Sequence, residues 1–143
     1  MRPVCFEPAA RFRAFALLAA VLALCCVWLV PATAQKAFPY DAELRFDANP
    51  LPGSKRVPWL QFHDNGTVDI DLWCASGRGQ AVVAGNTITI IPVSMRDNQC
   101  SQERLELDKA FLTKLMQVTE WRWDGSLLAL VGPETLRWRR ASN

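Results

Sequence analysis

The sequence contains few of the residues from which metal sites and nucleophilic sites are usually built. Histidine occurs once, as His63. Three of the five cysteines lie within the first 26 residues, so Cys74 and Cys100 alone remain in the later part of the chain. One histidine and two cysteines do not supply the four ligands of a structural zinc site, and the cysteine spacing is not that of a zinc knuckle. We therefore expect neither a metal nor a cofactor.

The sequence also lacks an excess of charge of one sign once its first 34 residues are set apart. Three of the 16 basic residues and one of the 14 acidic residues fall in that segment, so residues 35–143 carry 13 of each. Without a positive excess, these residues have no general electrostatic attraction to nucleic acid or to an anionic membrane surface. We expect no nucleic-acid partner.

The first 34 residues have the organisation of an export signal. Arginines precede an uncharged apolar run from Ala14 to Val30, and Pro31 and small residues follow it. This order predicts a signal peptide at residues 1–34, cleaved after Ala34. Residues 35–143 would then be a single monomeric domain, periplasmic or secreted, with no stable membrane insertion. The alternative is an uncleaved membrane anchor, for which the apolar run is slightly short.

Export decides how the two later cysteines are interpreted. In an oxidising compartment, two cysteines in one small domain are expected to pair, so we predict a disulfide between Cys74 and Cys100. Closing a loop of this length would stabilise the fold by roughly 3–4 kcal/mol in the chain-entropy model. The alternative is that Cys74 is a nucleophile with His63 as its base, but Cys100 competes for the same thiol. We expect no enzymatic activity.

Most of residues 42–139 follow the period-two hydrophobic pattern of antiparallel strands. Hairpin turns are predicted at Asp64–Gly66, at Gly85–Asn86 and at Asp124–Gly125, each between alternating segments. In between, Leu107, Phe111 and Leu115 recur at helical spacing, which predicts one helix at about 102–118 with Ser101 as its N-cap. The fold class is α+β: a compact antiparallel sheet or small barrel-like meander, with the helix inserted before the last hairpin.

Two groups of residues are candidates for binding. Ser76, Gly77, Arg78 and Gly79 follow a strand and are predicted to form a loop. A phosphate-binding loop would need a helix next, and the next segment is a strand, so a partner-binding loop is the better functional interpretation. Trp121 and Trp123 lie at period two in one strand, and Trp138 lies two residues after Leu136 in another, which indicates either core packing or an exposed aromatic face that stacks on a ligand. A cluster of Arg137, Arg139 and Arg140 is interpreted as a charged sheet edge that resists pairing.

From about Val57 to Trp138 the order of motifs resembles the META domain, the HslJ-like family of exported bacterial proteins. The pieces are "LWCASGRGQ", "AGNTITIIPVSMRDNQC", "ERLELDKAFLTKLMQVTEWRWDGSLLALVG" and "TLRW". Ala75 stands where the family usually has Asn, and Trp73 where it often has Gly. The resemblance implies a β-rich domain with one helix that works in the cell envelope, often in stress tolerance. It supplies no catalytic residues to carry over.

The expected function is therefore that of a non-enzymatic, exported META-like domain that acts in the envelope in stress tolerance or protein interaction. Its partner would be an envelope protein or ligand that the sequence does not identify. The alternative is a small ligand-binding or inhibitor domain that uses the Arg78 loop or an exposed tryptophan face.

Overall fold

The strands form a closed antiparallel barrel in a computed structural model that describes residues 36–52 and 55–141. The strands are β1 (Glu43–Phe46), β2 (Trp59–Phe62), β3 (Thr67–Asp71), β4 (Ser76–Ala84), β5 (Thr87–Arg96), β6 (Glu120–Asp124), β7 (Leu127–Val131) and β8 (Thr135–Arg140). The helix of the described residues, α1 (Gln102–Met116), connects β5 to β6. Each strand pairs with the next, and β8 pairs with β1. The predicted α+β meander is confirmed.

Alternating side chains fill the barrel, as the period-two pattern predicts. Leu60 pairs with Ile70 across β2 and β3, and both are buried. The same alternation buries Ile88 and Ile90 on β5. The interior is therefore a packed hydrophobic core made from one face of every strand.

The arginine cluster of β8 does not lie at a sheet edge, so that interpretation was wrong. Arg139 pairs with Leu127 of β7 on one side and with Arg45 of β1 on the other. Because the first and last strands meet, β8 becomes an interior strand of the barrel, and its charged side chains lie on the outer face. Barrel closure joins segments at opposite ends of the chain, which local sequence patterns do not reveal.

The helix buries the predicted apolar stripe except at its first position. Phe111 and Leu115 are buried as expected, but Leu107 is 40% exposed and Asp108 is buried in its place with 1% exposure. Ser101 stands at the N-cap position without a side-chain hydrogen bond. The buried stripe therefore begins with a carboxylate, one residue away from the apolar residue that the helical pattern favours.

Asp108 is buried because it binds the turn between β3 and β4. Its Oδ2 accepts hydrogen bonds from the backbone N–H groups of Cys74 at 2.8 Å and Ala75 at 2.5 Å, and its Oδ1 accepts one from Trp73 at 3.1 Å. Backbone donors buried without acceptors would be costly, and a buried carboxylate without donors would be more so. The carboxylate and the backbone N–H groups thus satisfy each other's hydrogen-bonding capacity, and the helix is fixed to the turn.

The same turn is held from its other side by a disulfide. Cys74 is bonded to Cys100, with 6.0 Å between their Cα atoms, so the predicted bridge is present. The side-chain amide of Asn98 donates to the carbonyl of Cys74 at 2.8 Å. The turn at 72–75 is therefore tied to the helix and to the segment before the helix. We call this arrangement the turn clamp (Trp73–Ala75, Asn98, Cys100 and Asp108).

Ser76–Gly79 form the start of β4, so the prediction of a loop there was wrong. A Cβ atom on Gly77 would lie 1.8 Å from the backbone oxygen of Ser94, and one on Gly79 would lie 2.6 Å from that of Ile91. The pairing register of β4 with β5 also shifts between Arg78 and Gly79. These glycines allow β5 to approach closely at a bulge, which is a known role of glycine within strands.

The predicted signal peptide, residues 1–34, lies outside the described residues. Within residues 36–52 and 55–141, no helix is long and apolar enough to cross a membrane.

Asp108→Asn should destabilise the fold because the new amide group faces backbone donors instead of accepting from them. We expect a loss of about 2–4 kcal/mol in the free energy of unfolding, measured by urea denaturation of the oxidised protein. Glu120→Gln is the matched control, since Glu120 is an exposed carboxylate of β6. Equal midpoints for the two variants would contradict the role assigned to Asp108.

Candidate functional site

The single histidine belongs to an ion-paired network on the outer face of the barrel. His63 follows β2, and its Nδ1 lies 2.9 Å from Asp41 Oδ1 while its Nε2 lies 3.0 Å from Asp69 Oδ2. The other oxygen of Asp69 accepts from Nε of Arg78 at 2.8 Å. Arg78 reaches Asp69 because the two residues are directly opposite in the β3–β4 pairing.

This network shifts two pKa values in opposite directions. The hydrogen bond to Asp69, and then the one to Asp41, raise the pKa of His63 above its ordinary value of 6.5. The hydrogen bond from His63, followed by that from Arg78, lowers the pKa of Asp69 below 3.8. Both shifts favour the charged pair, so the imidazolium and the carboxylate stabilise one another.

Cys74 and His63, the alternative nucleophile and base, are both engaged in other interactions. Both ring nitrogens of His63 are occupied by carboxylates, and the sulfur of Cys74 is in the disulfide. Within residues 36–52 and 55–141, no three His, Cys, Asp or Glu side chains are grouped so as to hold a metal ion.

Arg78 itself is exposed beside an apolar patch. Its side chain is 75% exposed, and the neighbouring outward positions of β4 and β5 carry Val82, Ile91 and Val93. Their exposed fractions are 65% for Val82, 51% for Ile91 and 68% for Val93. We call these four residues the β4–β5 patch. Although Ser76–Gly79 do not form a loop, Arg78 is thus available for contact.

The three tryptophans do not form an exposed aromatic face, so that alternative was wrong. Trp138 is completely buried and Trp121 is 5% exposed. Trp123 is partly buried: its indole N–H donates to Ala37, and Lys36 lies 3.6 Å from its ring centroid. All three face the barrel interior because period two places them on the core side of their strands.

A second surface was missed by the sequence analysis: a cleft between the barrel wall and the segments 47–50 and 55–57. It has a volume of about 810 Å³. Arg139, Arg45, Trp59 and Asp71 lie directly opposite one another across β8, β1, β2 and β3. This row forms the barrel wall of the cleft, and residues 47–50 and 55–57 form the other wall. We call it the basic cleft.

Basic side chains outnumber acidic ones in this cleft. Its lining includes Arg45, Lys55, Arg56, Arg139 and Arg140, against Asp47 and Asp71. Two arginines are tied to the acidic residues: Arg56 reaches both oxygens of Asp71 at 2.7 and 2.9 Å, and Arg139 is paired with Asp47. Arg45 is paired with Glu43 at 2.7 Å. The cleft therefore has a net positive charge although the domain as a whole is balanced.

His63→Gln should remove a pH-dependent part of the stability. With a raised pKa, His63 stabilises the fold fully below pH 6.5, and this contribution is lost as the pH rises through the folded-state pKa. Asp69 contributes above pH 3.8 and loses its contribution as the pH falls through its lowered pKa. The difference in unfolding free energy between wild type and His63→Gln should thus be largest between pH 3.8 and pH 6.5, and it should shrink in alkaline solution. Urea titrations at several pH values measure it; a gap that does not change from mildly acidic to mildly alkaline pH would contradict the network.

The comparisons with known proteins agree with the motif order described above. The family model of the META domain matches residues 40–143. Neither the search of curated proteins nor the search of solved structures found a match. The match begins upstream of β1 and takes in every strand of the barrel and the helix. The chain therefore belongs to the META domain family.

Proposed function

We propose that this META domain protein is exported, is not an enzyme, and acts in the cell envelope by binding another protein, in a role connected with stress tolerance. The observation that carries the proposal is the β4–β5 patch, where three exposed aliphatic side chains lie on the outer face of the strand pair that also carries Arg78, whose Nε donates to Asp69. Exposed apolar groups beside a fixed arginine are typical of protein-binding surfaces.

Two features support export. Residues 1–34 have the order of a signal peptide. The Cys74–Cys100 bridge fits an oxidising compartment, where disulfides persist. A disulfide here also suits a domain of this size, because it adds to the stability of a modest core.

The two groups that could take part in catalysis are both held in structural interactions, which supports a binding role. The Cys74 thiol is consumed in the disulfide, and His63 is held between two carboxylates. Each group has a structural partner that accounts for its position. In contrast, the side chains of the β4–β5 patch point outward from a strand pair whose core side is already filled.

The intact mass of protein from the envelope fraction tests export and oxidation together. We expect a chain that begins at Gln35 and that takes up a thiol-alkylating reagent only after reduction. Retention of Met1–Ala34 would instead indicate an anchored protein. Labelling of the mature chain without reduction would reopen the case for Cys74 as a nucleophile.

Variants of the β4–β5 patch test the binding surface. Capture from envelope extract on immobilised wild-type protein should retain a specific protein, and both Arg78→Ala and Val93→Ser should reduce its recovery about tenfold or more. Arg122→Ala, on the outer face of β6, is the control for loss of an exposed arginine. Equal recovery on all four proteins would place the contact elsewhere and refute the assignment of this patch.

A further inference from the structure

We propose that the basic cleft binds a small organic anion, with its acidic group between Arg45 and Arg139 and its apolar body against Trp59. This inference goes beyond the proposed function and concerns a different surface from the β4–β5 patch. It does not depend on export or on a protein partner.

The first reason is the placement of two like charges. Arg45 and Arg139 are directly opposite in the β1–β8 pairing, and their side chains point to the same outer face. Like charges at directly opposed positions destabilise a sheet. Their partners, Glu43 and Asp47, bind them on separate sides, so neither carboxylate bridges the two guanidinium groups. An anion between the arginines would bridge them and relieve the repulsion.

The second reason is that the cationic groups are held in position before a ligand arrives. Arg139 is fixed by Asp47, and Arg45 is bound through Nε alone to Glu43. A guanidinium has five N–H donors in a rigid fork, so most of those on Arg45 remain for an acceptor. Positioned donors lose less conformational entropy when a ligand binds, which increases affinity. Lys55 and Arg140 add positive charge at the margin of the cleft.

The third reason is the apolar surface beside these charges. Val57 and Trp59 line the same cleft, together with Ala48 and Pro50, while the ring of Phe46 at its base packs against Phe111 and Trp138 in the core. Trp59 lies between Arg45 and Asp71 in the row of opposed residues, so its indole is next to the arginine pair. The volume of about 810 Å³ falls within the range of about 300–1,000 Å³ that is common for small-molecule sites. A bare inorganic anion would leave this apolar surface unused, whereas an organic acid would cover it.

The cleft is suited to binding rather than to turnover of such an anion. Its lining supplies cations, carboxylates engaged in ion pairs and apolar groups, and its acidic residues, Asp47 and Asp71, are both held by arginines. Specificity would come from the spacing between the arginine pair and the indole.

The test uses three probes that separate charge from apolar body. Anilinonaphthalene sulfonate carries both, phenylnaphthylamine carries the same kind of body without the acid, and inorganic sulfate carries the charge alone. Calorimetric titration of the purified, oxidised wild-type domain should give saturable binding of the sulfonate, with the other two probes at least about tenfold weaker. Affinity for the sulfonate should fall as salt increases. Equal affinity for phenylnaphthylamine, or for sulfate, would refute the proposal.

Substitutions then locate the site. Arg45→Gln and Arg139→Gln should each weaken sulfonate binding about tenfold, since each removes a charged hydrogen-bond donor. Trp59→Leu should weaken the binding of the sulfonate without changing the affinity for sulfate. Arg122→Gln removes an exposed arginine outside the cleft and should leave the affinity unchanged. Loss of affinity in Arg122→Gln equal to that in Arg45→Gln, or wild-type affinity in both cleft arginine variants, would overturn the assignment.

Because the β4–β5 patch is itself apolar, a second measurement excludes it as the source of the signal. Val93→Ser should bind the sulfonate as tightly as wild type does. Weakened binding in this variant together with normal binding in Arg45→Gln would show that the probe binds to the patch, and it would refute a site in the cleft. Both variants change exposed side chains, and a thermal unfolding midpoint near that of wild type verifies that each is folded.

Discussion

The hydrogen bonds from Trp73, Cys74 and Ala75 to the carboxylate of Asp108 are the interaction on which the rest of the structure depends. A chain reversal beside the core leaves backbone N–H groups that water does not reach, and a carboxylate on the buried side of a helix has no solvent either. Each would be unfavourable alone. Together they fix the orientation of α1, and this orientation places Phe111 and Leu115 in the barrel core. The disulfide at the same turn restricts the conformations of the unfolded chain, which adds about 3.5 kcal/mol to the stability in the chain-entropy model.

Local patterns predicted the parts of the fold that depend on local physics. The hairpins at Asp64–Gly66 and Gly85–Asn86 follow from turn residues between alternating segments, and the helix follows from its apolar period. The start of β4 was missed because glycines in a sequence are typical of a loop. Here they allow the backbone of β5 to approach closely, and this long-range contact is not visible in the local sequence. Leu107 was preferred to Asp108 because periodicity counts only apolar residues. A charged residue three positions before Phe111 and seven before Leu115 was nevertheless a signal that the buried face contained a polar anchor.

The candidate sites differ in how far the sequence could reveal them. Arg78 was recognised, although its role in a loop was wrong, because an arginine between glycines is conspicuous in the sequence. The basic cleft could not be found in this way: Arg45 and Arg139 are brought together only when β8 pairs with β1. The charge balance of the whole domain also concealed it, since equal totals of acidic and basic residues say nothing about where they gather. Closure of the barrel thus creates a charged surface that composition alone does not reveal.

The turn clamp also connects the two surfaces. Asp71, at the end of β3, holds Arg56 in the wall of the basic cleft, and Ser76, only five positions later, begins the strand that carries Arg78. The clamped turn lies between them, and the β3–β4 pairing, in which Asp71 is opposite Ser76 and Asp69 is opposite Arg78, sets the relative position of cleft and patch. A short connection with several anchors transmits little motion, because its backbone has few alternative conformations. The disulfide and the Asp108 carboxylate therefore stabilise the short connection on either side of which the residues of the cleft and the patch lie.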